Sequence, residues 1–307
     1  MRRNGHDSQG KQRWFCNSCG HSCSRRSRCN QGTRQNEEQE WFRLWVVEGY
    51  SVRQLEDQSE HSQRKLYRLI NYHLQQKLPP ATLDLGKYRH FILDGTFLHR
   101  PCSLIALMDA QTRTVIAGQY GVSENSEPQL LNFFKSMEPA GLCPHSFTVD
   151  GNPNVISVLR QLWPDVLVQR CLVHIQRQGL SWCRTSPRTT YARRLRQIFL
   201  QVTRIRSPAD RDMFLGSVTD WENSYGSQIS GRRETGYVFS DIKRARSMLL
   251  RALPDMFHYL DNPLIPTSTN GLEGYFSRLK SHYRQHRGLR NDKRGKYFQW
   301  YFHLVPK

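Results

Sequence analysis

No run of apolar residues in this chain approaches the ~18 that a membrane-spanning helix needs, and only 37% of its residues are apolar. Negative charge is scarce as well: 26 Asp and Glu stand against 45 Lys and Arg, a formal charge of +19. A membrane surface is a poor partner for that excess, because no basic amphipathic anchor accompanies it. A polyanion, nucleic acid above all, is the expected one. Cysteine is too sparse and uneven for a secreted disulfide framework. Of the eight, Cys16, Cys19, Cys23 and Cys29 crowd the start, and Cys102, Cys143, Cys171 and Cys183 are scattered. This usage predicts a reducing, cytosolic compartment. Met1-Arg2-Arg3-Asn4-Gly5 leads into polar sequence, so no signal peptide is expected. No internal repeat stands out. A chain of 307 residues can hold one large domain or about two to three smaller ones.

Two short stretches repeat one figure. Phe91-Ile92-Leu93 runs into Asp94-Gly95, and Phe147-Thr148-Val149 runs into Asp150-Gly151. An acid at the end of a buried strand is costly unless something pairs with it. Two such ends can bring two carboxylates to one sheet edge, which suits a hard divalent cation. Each Asp-Gly is equally a turn signal. Around them, Arg89 to Phe97, Cys102 to Asp109 and Thr114 to Tyr120 read as strands. A helix over Ser123 to Met137 follows, then the strand to Asp150, a helix over Asn152 to Leu162, and a fifth strand over Val166 to Arg170. That order predicts a mixed α/β sheet.

Residues 1–34 are basic and carry Cys16-Asn17-Ser18-Cys19-Gly20, a zinc knuckle by spacing. A structural zinc site needs four ligands, usually as two knuckles. Here there is one, with His21, Cys23 and Cys29 as irregular substitutes; a basic tail with idle cysteines fits the same residues. Residues 35–78 read as three helices, from about Glu37 to Glu48, from Ser51, and from Ser62. The last has Leu66, Leu69 and Ile70 inward and Arg64, Lys65 and Arg68 outward. The pattern is that of a helix-turn-helix, whose last helix enters the major groove; an ordinary three-helix bundle with a solvated face would look alike. Leu78-Pro79-Pro80 reads as a linker.

Past the fifth strand comes Cys171-Leu172-Val173-His174. It is half a zinc site by spacing, or a buried cysteine and a core histidine. Residues from about 180 to 262 read as a helical insertion. Beyond it, Thr269-Asn270-Gly271-Leu272-Glu273 opens a helix with Leu272, Phe276 and Leu279 on one stripe and Glu273 on another. Asn270 and Glu273 also fit a capping box. Lys280, Arg284, Arg287, Arg290, Lys293 and Arg294 then form a phosphate-seeking stretch.

In this order the motifs resemble a DDE transposase of bacterial insertion sequences, in the Mutator-like superfamily. The resemblance covers roughly residues 85–300. It implies a ribonuclease H-like catalytic domain over 85–307 with the helical insertion, preceded by a partial zinc ribbon and the helix-turn-helix. It implies that Asp94, Asp150 and Glu273 hold two Mg2+ or Mn2+ ions, and that Cys171 and His174 are a structural signature. The implied partners are the terminal inverted repeats of an element and target DNA, met by a homo-oligomer on the bacterial nucleoid. The implied activity is strand cleavage followed by strand transfer. A DNA-binding regulator that has lost chemistry, or a nuclease of the same fold without strand transfer, are the alternatives. Cys16 and Cys19 would form only part of a Zn2+ site. Residues 1–34 are expected to be a poorly ordered half-ribbon whose first knuckle lies upstream of Met1.

Overall fold

The computed structural model describes residues 1–24, 29–79, 84–99, 102–231, 237–286 and 288–305, without the side chains of 29–35, 99 and 237–240. Arg287 and Pro80 lie outside the described residues. The chain divides into two units, Met1–Gln76 and Lys77–Lys307.

In the first unit, β1 (Arg2–His6), β2 (Gln12–Phe15) and β3 (Ser22–Ser24) form an antiparallel sheet in the order β1-β2-β3. The ladder needs no apolar periodicity, because both turns are closed locally. Asp7 Oδ1 accepts the Gln9 and Lys11 amides, each at 2.9 Å, and Gly20 takes the left-handed conformation at φ +67° that ends the second turn. Three helices follow: α1 (Cys29–Val47), α2 (Val52–Ser59) and α3 (Gln63–Gln75). α1 starts eight residues before Glu37, so it crosses the expected boundary at 34. Ser51 caps α2 in a full capping box with Gln54. Glu60, at φ 55°, makes the turn between α2 and α3. Leu55, Leu66, Leu69, Ile70 and Leu74 are buried between the helices.

The second unit is built on β4 (His90–His99), β5 (Cys102–Asp109), β6 (Val115–Tyr120), β7 (Ser146–Val149) and β8 (Leu167–Arg170). The sheet is mixed, in the order β6-β5-β4-β7-β8. β5 runs antiparallel to β4 and to β6, whereas β7 is parallel to both β4 and β8. Phe91, Leu93, Ile105, Leu107, Phe147 and Val149 share one face, packed by α4 (Glu127–Lys135) and α5 (Pro153–Leu162). This alternation, apolar to one side on every strand, fixes the register, since a one-residue slip would bring the other set inward.

A second core lies within the helices α6 (Leu172–Cys183), α7 (Thr190–Gln201), α8 (Pro208–Trp221), α9 (Ser227–Gly231), α10 (Tyr237–Ala252) and α11 (His258–Asp261). It begins at Leu172, so the insertion is rooted in the helix that carries Cys171-x-x-His174. The other face of the sheet is covered by α12 (Asn270–Tyr283) and α13 (Asn291–Leu304). Gly271 lets α12 lie close: a Cβ there would stand 3.0 Å from Met108 Sδ. The expected basic stretch ends in a packed helix, with Tyr297, Phe298, Trp300 and Tyr301 buried.

Candidate active site at the sheet edge

Asp94 lies inside β4, opposite Ala106, and Gly95 opposite Ile105. The first Asp-Gly is therefore no turn; the strand runs on to His99. What ends near Asp94 is the parallel ladder to β7, which pairs Ile92 with Thr148. Carried on by two residues, that register sets Asp94 level with Asp150, which follows β7 directly. The second Asp-Gly does turn: Gly151 adopts φ +102°, and Asp150 Oδ1 accepts the Asn152 amide at 2.9 Å. Both acids leave the sheet on the face away from the Phe91–Leu93 core, because side chains alternate along a strand.

Glu273 reaches the same region from the first turn of α12. Its helix is held there by main chain. Thr148 Oγ1 donates to Pro266 O at 2.8 Å, the Leu172 amide to Thr267 O at 2.9 Å, and the Thr269 amide to Cys171 Sγ at 3.3 Å. The helix is capped by Thr269, with no side-chain cap bond, so the capping box does not form and Glu273 is left to bond elsewhere. Arg177 takes it in a two-pronged bond, Nη1 to Oε1 at 3.2 Å and Nη2 to Oε2 at 3.4 Å. His174 Nε2 stands 3.3 Å from Oε1.

The sequence reading missed Glu124, in the loop after β6. Its carboxylate lies against Gly95: a Cβ on Gly95 would stand 2.6 Å from Glu124 Oε1. Only a glycine after Asp94 leaves that room. Burial, then the charges of Asp150 and Asp94, push Glu124 up to about 8. Burial, then the Asp150 charge, push Asp94 up to about 7. His174 draws both back down, but by less. The sequence signal was weak, an acid just past a strand without the Asp-Gly figure.

Cys171 and His174 form a polar pair under the site. The Cys171 hydrogen bond is the main cause that raises His174 to about 9. Burial works against ionisation of Cys171, but bonds from His174 and the Thr269 amide outweigh it and lower the thiol from its ordinary value. Thr269 Oγ1 also stands 3.3 Å from His174 Nδ1. The pair thus ties the exit of β8 to the start of α12.

Among the described residues, no three His, Cys, Asp or Glu side chains are placed to hold a metal ion as they stand. Glu273, drawn to Arg177 and His174, is turned to cations already. The donors themselves are hard carboxylate oxygens, which fit Mg2+ or Mn2+ and not a thiophilic ion. Lys280, on α12, donates to Thr96 Oγ1, next to the acids. Arg284 is exposed.

In the first unit, Arg64 and Arg68 are exposed on α3, as are Tyr67 and Tyr72. Lys65 is half-buried, and its Nζ lies 2.8 Å from His61 Nε2. It is not simply outward. At the knuckle, the Cys19 and Ser18 amides bond Cys16 and bring its thiol down to about 7. Cys19 and Cys23 are exposed, with Cys23 paired opposite Trp14. No helix among the described residues is long and apolar enough to cross a membrane. No protein-family model matches the chain, and no curated protein matches it.

Proposed function

We propose that the chain is a DDE-type DNA transposase, with a ribonuclease H-like catalytic unit and metal-dependent strand cleavage and strand transfer as its chemistry. The observation that carries the reading is the placement of the acids. Asp94 on the central strand and Asp150 beyond the neighbouring parallel strand are level with one another. Glu273 starts a helix on the same face, after a helical insertion. The strand order β6-β5-β4-β7-β8, with one antiparallel and one parallel neighbour for β4, supports the fold assignment.

Asp94, Asp150 and Glu273 would hold two Mg2+ or Mn2+ ions. When bound, these supply charge stabilisation for an attacking and a leaving oxygen at one phosphorus. The chain's own residues do the rest. Asp94 and Asp150 are fixed by strand register, so their oxygens need little reorganisation. Glu273 must leave Arg177 to join them, which frees that guanidinium for a phosphate oxygen. Lys280 brings a second cation to the strand edge. Water would attack first and release a 3′-hydroxyl at the element end; that hydroxyl would then attack a target phosphodiester and displace a target 3′-oxygen. Arg64 and Arg68 on α3 are assigned to DNA binding in the first unit.

The test is a search of the DNA that flanks the gene for inverted repeats, followed by a cleavage and joining assay with Mn2+ on that DNA. Asp94→Asn, Asp150→Asn and Glu273→Gln should each abolish both steps and leave DNA affinity within about threefold, as every arginine and lysine assigned to DNA is kept. Binding with no cleavage by the wild type would make the chain a regulator. Cleavage with no joining would make it a nuclease.

A further inference from the structure

Next to the Asp150–Gly151 turn lies an open cavity of about 550 Å³ that is separate from the acids. Arg160, Arg170 and Arg251 line it with a single carboxylate, Asp255. Arg160 Nη2 meets both Asp255 oxygens, at 2.8 and 2.9 Å, so one positive charge is balanced. Among the described residues, Arg251 Nε bonds the Ser247 carbonyl of its own helix, at 3.1 Å.

Arg170 is the unusual member. The residue is only 7% exposed, and its Nε is buried with no hydrogen-bond partner. The one side-chain hydrogen bond of Arg170 among the described residues runs from Nη2 to the Asp150 carbonyl, at 3.3 Å. The guanidinium occupies the space that a Cβ on Gly151 would need, at 1.9 Å from Nη2. Turn and arginine are thus built around each other. A guanidinium carries five donors, and burying it with so few used is costly. A ligand that brings negative charge and several acceptors would meet the deficit.

We propose that this cavity is a phosphate site, which takes one phosphate group of a polynucleotide backbone between Arg170 and Arg251. The phosphate chemistry stands on the arginines alone; the polynucleotide source rests on the proposed function. A volume of this size admits a nucleotide unit, and Ile156 and Met248 give it an apolar wall for a sugar. The Arg170 bond to the Asp150 carbonyl ties a bound phosphate to the turn that carries the second acid. The site would therefore set the register of a strand relative to the acids.

The first arm is thermal unfolding of the full chain, without divalent metal, in inorganic phosphate against chloride at equal ionic strength. Phosphate should raise the Tm of the wild type. Arg251→Ala should lose most of that rise. So should Ser157→Trp, which keeps every charge and fills the cavity from an exposed position. No rise in the wild type, or an equal rise in all three proteins, overturns the site. The second arm is duplex DNA binding in EDTA. Arg251→Ala should bind about tenfold more weakly, with a salt slope smaller by about 1. A phosphate effect with unchanged DNA affinity overturns the polynucleotide source. A wild type that binds phosphate but no DNA supports the anion site and sinks the transposase reading.

Discussion

At Asp94 the proposed chemistry and the stability of the chain pull in opposite directions. An acid whose folded pKa is raised binds more protons folded than unfolded, so its ionisation opposes folding. For Asp94 the penalty is absent below its ordinary value of 3.8, grows as pH rises, and is complete above about 7. Glu124 adds the same sense between 4.5 and about 8. His174, raised from 6.5 to about 9, stabilises below 6.5 and loses that contribution as pH rises through 9. All three therefore make the metal-free protein less stable as pH rises. Asp94→Asn should raise the metal-free Tm at pH 8, by about 2–4 °C per kcal/mol relieved, and leave it nearly unchanged at pH 4. Mg2+ should reverse the order at pH 8, stabilising the wild type above the variant. Calorimetry at the two pH values checks both signs.

Much of the sheet was legible, because apolar alternation and short polar turns are local signals. Cys102 to Asp109 was read to the residue. The first strand, expected over Arg89 to Phe97, runs over His90–His99; its Asp94-Gly95 stayed open to a turn reading, since an Asp-Gly pair signals one unless a partner strand is known. Glu124 was invisible for a related reason: nothing before the fold places it over Gly95. The burial of α13 was missed because its opening Asn291-Asp292-Lys293-Arg294 is polar and its aromatic half follows.

At the scale of elements, two helices carry distinct expectations. α3 presents Arg64 and Arg68 to solvent, whereas Lys65 is engaged with His61. Arg64→Ala/Arg68→Ala should weaken DNA binding and lower the salt slope by about 2, one for each phosphate no longer neutralised. Lys65→Ala should do less. An equal effect of all three in a salt titration would mean that Lys65 leaves His61 when DNA binds. α12 depends on a thiol. Cys171→Ala leaves the buried Thr269 amide without its acceptor, which costs about 1–3 kcal/mol. Cys171→Ser keeps an acceptor and should cost less. Chemical denaturation ranks the two, and metal analysis of the second unit should find no zinc released by either.

For the whole molecule, the bonds that seat α12 have a consequence in time. Thr148 and Pro266 are 118 residues apart, and Cys171 and Thr269 are 98 apart. Pairings of such separation close large loops and form late. A chain emerging from the ribosome lays down the sheet and its first two acids, then the whole insertion, and only afterwards the third acid. Under the proposed function, unfinished copies carry a scaffold that cannot work, and competence is the last property the molecule acquires. In interrupted refolding, the Mn2+ response should grow in with the slowest phase, well after the far-ultraviolet signal of the sheet. A response that keeps pace with the sheet would mean that the third acid has no part in it.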